Sequence, residues 1–259
     1  MMLNISPISA FRDNYIWLIT QPDNPYAVVV DPGEAQPVLS TLAARQLQLA
    51  AILVTHHHYD HCGGVPTLLQ HHSAPVFGPA HESVPMLDVN HPVTKTERVY
   101  IDPMKLEFAV LDIPGHTRGH IAFWGHGFLF CGDTLFTGGC GRVFEGTTDQ
   151  MYESLTQLAS LPNETAVYCG HEYTEANLKF AQQVEPDNQK LRDRLQQVTA
   201  LRAQQLPTVP ATLLLEKQTN PFLRCHLPTV KIAAEHYAGR KLQQPAEVFA
   251  VIREWKNSF

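Results

Sequence analysis

The chain has 259 residues, 44% hydrophobic and 17% charged, with a formal net charge of −6. That composition describes an ordinary globular protein of one large domain or two unequal ones, and its acidic balance argues against general nucleic-acid binding, which needs a basic surface excess. No apolar run approaches the ~18 residues of a membrane span, and the opening Met1-Met2-Leu3-Asn4-Ile5-Ser6-Pro7 lacks the features of a secretory leader.

In chain order, the first two thirds read as short strands separated by turn residues. The predicted strands are Asn14 to Thr20, Ala27 to Asp31, Ala51 to Thr55, Lys105 to Asp112, His120 to Trp124, Phe128 to Cys131 and Thr165 to Cys169, each apolar and rich in β-branched or aromatic residues. Helices are predicted at Val38 to Gln46, Val65 to Gln70 and Gln150 to Leu161, the last with Thr147 and Gln150 at capping-box spacing. Strands with intervening helices make an α/β sheet protein. After His171 the pattern turns helical, with helices predicted at Thr174 to Val184, Asn188 to Gln204, Thr229 to Tyr237 and Ala246 to Lys256, and no comparable strand. Leu206 to Cys225, which holds Pro207, Pro210 and Pro221, reads as a connector. A boundary near Glu172 to Thr174 divides a first domain, 1–172, from a small, mainly helical one, 173–259.

The densest chemical signal follows the third of these strands. Thr55-His56-His57-His58-Tyr59-Asp60-His61 packs four histidines and an aspartate into seven residues. Imidazole and carboxylate are the usual ligands of zinc and related divalent ions. A solvated histidine tract or an affinity tag is the plain alternative, but tags run unbroken at termini and this cluster is internal and patterned. On an extended segment His56 and His58 face one side while His57 points away. Asp60 and His61 then exceed what one four-coordinate ion takes, which leaves room for a second.

Three further clusters follow predicted strands: Gly115-His116-Thr117-Arg118-Gly119-His120, Cys131-Gly132-Asp133-Thr134 and Cys169-Gly170-His171-Glu172. Singly, each is more often a turn. Strand ends that share one rim of a sheet can nevertheless bring sequence-distant ligands together. The five cysteines are odd in number, widely spread and without a Cys-x-x-Cys pair, which fits reduced thiols in a cytoplasm.

Taken in order and spacing, these motifs resemble the metallo-β-lactamase superfamily. The run Gly132-Asp-Thr-Leu-Phe-Thr-Gly-Gly-Cys-Gly-Arg-Val-Phe-Glu-Gly146 resembles its glyoxalase II (hydroxyacylglutathione hydrolase) branch, and the likeness extends over nearly the whole chain. The resemblance implies an αββα sandwich followed by a small C-terminal helical domain. It also implies two divalent ions, zinc first with iron or manganese as alternatives: His56, His58 and His116 on one, Asp60, His61 and His171 on the other, Asp133 bridging both. Cys62 reads as packing, His57 and His120 as supports. Asp31 reads either as an orienting residue near the site or as a plain turn aspartate.

Two ions that share a water present hydroxide to a carbonyl, and a thioester suits them because its thiolate departs without strong acid help. Asp60 and Asp133 are then the catalytic carboxylates that hold the attacking, metal-bridging hydroxide. The substrate implied is a small-molecule glutathione thioester, S-(2-hydroxyacyl)glutathione and chiefly S-D-lactoylglutathione, hydrolysed to glutathione and D-lactate in methylglyoxal detoxification. By the same resemblance Arg142, Tyr173, Arg253 and Lys256 contact the glutathione, and Phe144 stands where the family commonly has tyrosine. The expected protein is a cytoplasmic monomer with no membrane or nucleic-acid partner. The alternative is a mononuclear-iron persulfide dioxygenase of the same superfamily.

Overall fold

Each apolar run pairs into a sheet and stops where a polar cluster begins. The computed structural model describes residues 3–82 and 88–259, so Met1 and Met2 of the opening segment lie outside the described residues. Two compact units divide the chain: one runs through Asp112 and adds Thr117–Gly132, the other joins Ile113–His116 to Asp133–Phe259.

In the first unit β1 (Asn4–Ala10), β2 (Asn14–Thr20) and β3 (Tyr26–Val30) form an antiparallel meander, and α1 (Ala35–Ala44) crosses over to a parallel β4 (Gln48–Leu53). Beyond α2 (Tyr59–Cys62) and α3 (Val65–His71), β5 (Val76–Pro79) and β6 (His91–Val93) extend the sheet in parallel. Ile16 and Leu18 of β2 join Val38, Leu42 and Leu68 of α1 and α3 in one apolar cluster. Trp17 and Ile19, on the opposite face by the two-residue period, are equally buried. Burial on both faces is why β2 reads as a continuous apolar run rather than an alternating one.

Strands β7 (Arg98–Ile101), β8 (Leu106–Asp112), β9 (Ile121–Gly125) and β10 (Phe128–Gly132) make a second antiparallel set in this unit. His126 and Gly127, at φ of 54° and 83°, form the two-residue turn between β9 and β10, the hairpin geometry that matches strand twist. Phe108, Phe123 and Phe130 are fully buried, each contributing roughly 1.5–3 kcal/mol.

The second unit opens with a small hairpin, β11 (Leu135–Phe136) and β12 (Gly139–Cys140). α4 (Thr148–Ala159) starts with the predicted capping box: Gln150 N–H donates to Thr147 Oγ1 (3.1 Å) and Thr147 N–H to Gln150 Oε1 (2.9 Å). β13 (Ala166–Cys169) precedes α5 (Thr174–Val184) and α6 (Gln189–Ala203), whose Leu178, Ala181, Leu191 and Val198 share a core.

The expected connector over Leu206 to Cys225 is instead structured, and a strand does occur after His171. It holds β14 (Ala211–Thr212), antiparallel to β13, then α7 (Leu213–Thr219) and a 3-10 turn at Pro221–Leu223. The prolines flank the helix without entering it, and Thr212 caps it by accepting from Leu215 N–H (3.3 Å). α7 buries Glu216, which accepts from Gly138 N–H (2.8 Å) and Asn220 Nδ2 (3.0 Å) and pairs with Arg194 of α6. α8 (Pro228–Ala238) and α9 (Pro245–Ser258) complete the unit. No helix among the described residues is long and apolar enough to cross a membrane.

Candidate metal centre

In the first unit the histidine cluster leaves β4 and enters α2, and its order is set by one buried carboxylate. Asp31 follows β3 at a φ of 52° and is 3% exposed. Its Oδ1 accepts from Thr55 N–H (2.7 Å), and its Oδ2 from Thr55 Oγ1 (2.8 Å) and His61 Nδ1 (3.0 Å). A carboxylate only accepts, so His61 carries its proton on Nδ1 and its lone pair on Nε2. The Thr55 hydroxyl gives its proton to Asp31 and therefore accepts from His56 Nδ1 at 3.0 Å. His56 Nε2 is then also a lone-pair donor, and it lies 3.1 Å from His58 Nδ1. Asp31, His56 and His61 form a compact ligand cluster. Both Asp31 oxygens accept hydrogen bonds from Thr55 and His61, the arrangement by which an outer carboxylate orients ligands.

His56 and His58 thus converge, as the extended spacing predicts. His57 turns away, with Nδ1 3.2 Å from Glu82 Oε2. The His120 ring stacks on His56 (centroids 4.5 Å apart, 16° between planes) and its Nδ1 donates to the Ile121 carbonyl (3.1 Å), a support as expected. Asp60 Oδ2 lies 3.6 Å from His61 Nε2 and accepts from Asn14 Nδ2 at 2.9 Å. Gly33 makes room for that carboxylate's backbone: a Cβ there would sit 2.0 Å from the Asp60 carbonyl oxygen. Cys62 packs against the apolar core and donates to the His57 carbonyl (3.3 Å). Burial pushes its thiol up to about 11, with Asp31, Asp60 and Glu82 adding to the effect.

The second unit holds the other three predicted ligands together. Asp133 Oδ2 is 3.5 Å from His116 Nε2 and 3.3 Å from His171 Nε2. His116 Nδ1 donates to the Arg142 carbonyl (2.8 Å), which fixes its lone pair on Nε2, toward Asp133. A lone pair facing a carboxylate oxygen is repulsive unless a cation lies between them. The donor set therefore suits a divalent metal, and nitrogen with oxygen and no thiolate suits zinc, iron or manganese alike. Gly141 permits the close turn, since a Cβ there would fall 1.8 Å from the Asp133 carbonyl oxygen.

His116 and Asp133 line a cavity of about 480 Å³ within this unit, and so do Arg142, Phe144, Tyr173, Arg253 and Lys256. Tyr173 stacks on His171 (4.7 Å, 5°), and Phe144, well exposed, lies 5.2 Å from the His116 ring. On α9, Arg253 is buried over the Phe222 ring, with Nη1 donating to the Cys140 carbonyl (2.8 Å) and Nη2 to Asn257 Oδ1 (3.0 Å). Lys256 Nζ sits 5.3 Å from both the Phe180 and Phe259 rings. Its pKa is pulled down to about 8 by burial first, then by Arg253 and Arg142.

A family model described as the metallo-beta-lactamase superfamily matches residues 10–171, and one described as the hydroxyacylglutathione hydrolase C-terminus matches residues 172–259. The hydroxyacylglutathione hydrolases of Methylobacillus flagellatus and Alkalilimnicola ehrlichii are 56% and 55% identical, over 100% and 99% of both chains respectively. The chain belongs to the hydroxyacylglutathione hydrolase family. Its fold is the metallo-β-lactamase αββα sandwich with a helical C-terminal part. The crystal structure of ETHE1 from Myxococcus xanthus shares that fold, with a TM-score of 0.68 at 24% identity over 98% of this chain and 91% of that one.

Sequence reading missed several residues around these ligands. Asn14 opens a strand and carries no local mark of its hold on Asp60. Phe136 meets the His171 ring edge-on (5.9 Å) and Asn177 donates to the Thr137 carbonyl (3.3 Å); both line the cavity. The Gly138-Gly139 pair was the one available signal, because a Cβ on Gly139 would meet Asn177 at 2.6 Å.

Proposed function

We propose that the protein is a glyoxalase II. It hydrolyses S-(2-hydroxyacyl)glutathione, chiefly S-D-lactoylglutathione, to glutathione and D-lactate. The observation that carries this reading is a single cavity that joins the ligand pair His116 and Asp133 to the cations Arg142, Arg253 and Lys256. We assign His56, His58 and His116 to one ion and Asp60, His61 and His171 to a second, with Asp133 shared. Zinc is the first choice. Such a pair of ions, when bound, acidifies a shared water and polarises the thioester carbonyl.

The chain's own residues do the rest. Asp31 presents the His61 lone pair directly and that of His56 through Thr55, and the Arg142 carbonyl presents that of His116. Asp60 and Asp133 are assigned to orienting the attacking oxygen. The Lys256 ammonium faces the substrate's carboxylates, Arg142 and Tyr173 line its path, and Arg253 braces the β12 turn through Cys140 while adding positive charge. Residues 1–172 are assigned the chemistry and 173–259 the recognition of glutathione. Five free cysteines support a cytoplasmic setting.

The test follows thioester loss from S-D-lactoylglutathione by the purified protein, before and after chelation and metal restoration. Turnover that disappears on chelation and returns with metal is expected. Oxygen uptake with glutathione persulfide, without thioester hydrolysis, would replace this reading by the dioxygenase one. A second prediction concerns pH. Lys256 is charged below its pKa of about 8 and neutral above it, so KM should rise roughly tenfold between pH 7 and pH 9, the scale of one charge-assisted bond. Lys256→Arg keeps its charge over this range and should flatten the rise, which separates the effect from titration of the substrate. An equal rise in both enzymes would refute the role given to Lys256.

A further inference from the structure

We infer that Glu82 is a positioning residue that holds the backbone of two ligand-bearing loops through one buried carboxylate. Its side chain is 1% exposed. Oε1 accepts from His57 N–H (3.1 Å) and Thr117 Oγ1 (2.8 Å), and Oε2 accepts from Gly119 N–H (3.0 Å) and lies 3.2 Å from His57 Nδ1. His57 stands between His56 and His58, and Thr117 directly follows His116. The two stretches, some 60 residues apart in sequence, are therefore registered against the same group.

A buried charge with this many donors holds them firmly, because hydrogen bonds to an ionised acceptor are roughly twice as strong as neutral ones. The approach is also close. A Cβ on Gly119 would come within 2.5 Å of the His81 carbonyl carbon and 2.6 Å of the Glu82 nitrogen, so the loop after His116 rests directly on the 81–82 peptide. Both Glu82 oxygens accept from these loops. The residue acts through the loops, where outer partners of ligands commonly decide metal affinity.

The inference rests on the two-metal reading above. It is tested with Glu82→Gln, which keeps the shape but sets an amide NH2 against the N–H groups of His57 or Gly119. Metal affinity of the full chain would be measured by zinc competition with a chromophoric chelator, together with the visible spectrum of the cobalt-loaded protein. Affinity is expected to fall about 10–100-fold, with an altered cobalt spectrum. Thr117→Val removes one donor with little change of volume and should weaken zinc binding at least about threefold; it decides the matter if Glu82→Gln does not fold. Wild-type affinity and spectrum in the variant that folds would overturn the role of Glu82. A wild-type chain that takes up no zinc would instead overturn the two-metal reading, and this inference with it.

Discussion

Asp133→Asn is expected to lower kcat/KM by about 10²–10³-fold or more and to leave the purified protein short of at least one metal ion per chain. The substitution keeps size and shape but exchanges an acceptor for a donor. Asp133 Oδ2 lies 3.3 Å from His171 Nε2 and 3.5 Å from His116 Nε2, whose lone pair faces it, and negative charge against a lone pair is a combination that only a cation makes favourable. The amide NH2 would donate to His116 Nε2 and close that contact with a hydrogen bond of its own. The apo variant should therefore fold normally, so loss of activity cannot be charged to unfolding. Elemental analysis beside the thioester assay and a thermal melt checks all three parts. Full metal content with kcat/KM within tenfold of wild type would remove Asp133 from the centre.

Glu216→Ala should produce the largest loss of stability, about 3–5 kcal/mol, the usual result of stranding one member of a buried ion pair. Glu216 is wholly buried and binds Arg194, Gly138 N–H and Asn220 Nδ2, tying α6 and α7 to the β11–β12 hairpin. Its removal strands the Arg194 guanidinium and frees the hairpin that ends at Cys140, two residues before Arg142. A fall in melting temperature on the order of 10 °C is expected, measured by calorimetry on the metal-loaded protein. A change of less than about 2 °C would mean that the pair contributes nothing net, as some buried pairs do.

Much of the centre was legible because ligand chemistry is local in sequence. His56 to His61 announce themselves by density, and His116, Asp133 and His171 follow strands whose apolar runs are unmistakable. The groups that set which nitrogen faces the metal were not legible in the same way. Asp31 acts on Thr55 and His61 from 24 and 30 positions away, and Glu82 sits in a segment without periodicity. Short strands such as β6 and β14 are defined by their partners and not by their own residues. Three prolines in 206–225 suggested a connector, although a seven-residue helix fits between them.

The chain's path between its two units has a consequence of its own. It leaves the first unit at Asp112, returns at Thr117 and leaves again after Gly132. Neither unit is therefore a continuous stretch of polypeptide, and no single cut releases one. A fragment beginning at Asp133 would lack Pro114, whose carbonyl accepts from Ser154 Oγ (2.8 Å), and Gly115, whose carbonyl accepts from Gly146 N–H (3.1 Å). It would also lack His116 itself. A single junction therefore cannot transfer this unit intact to another chain.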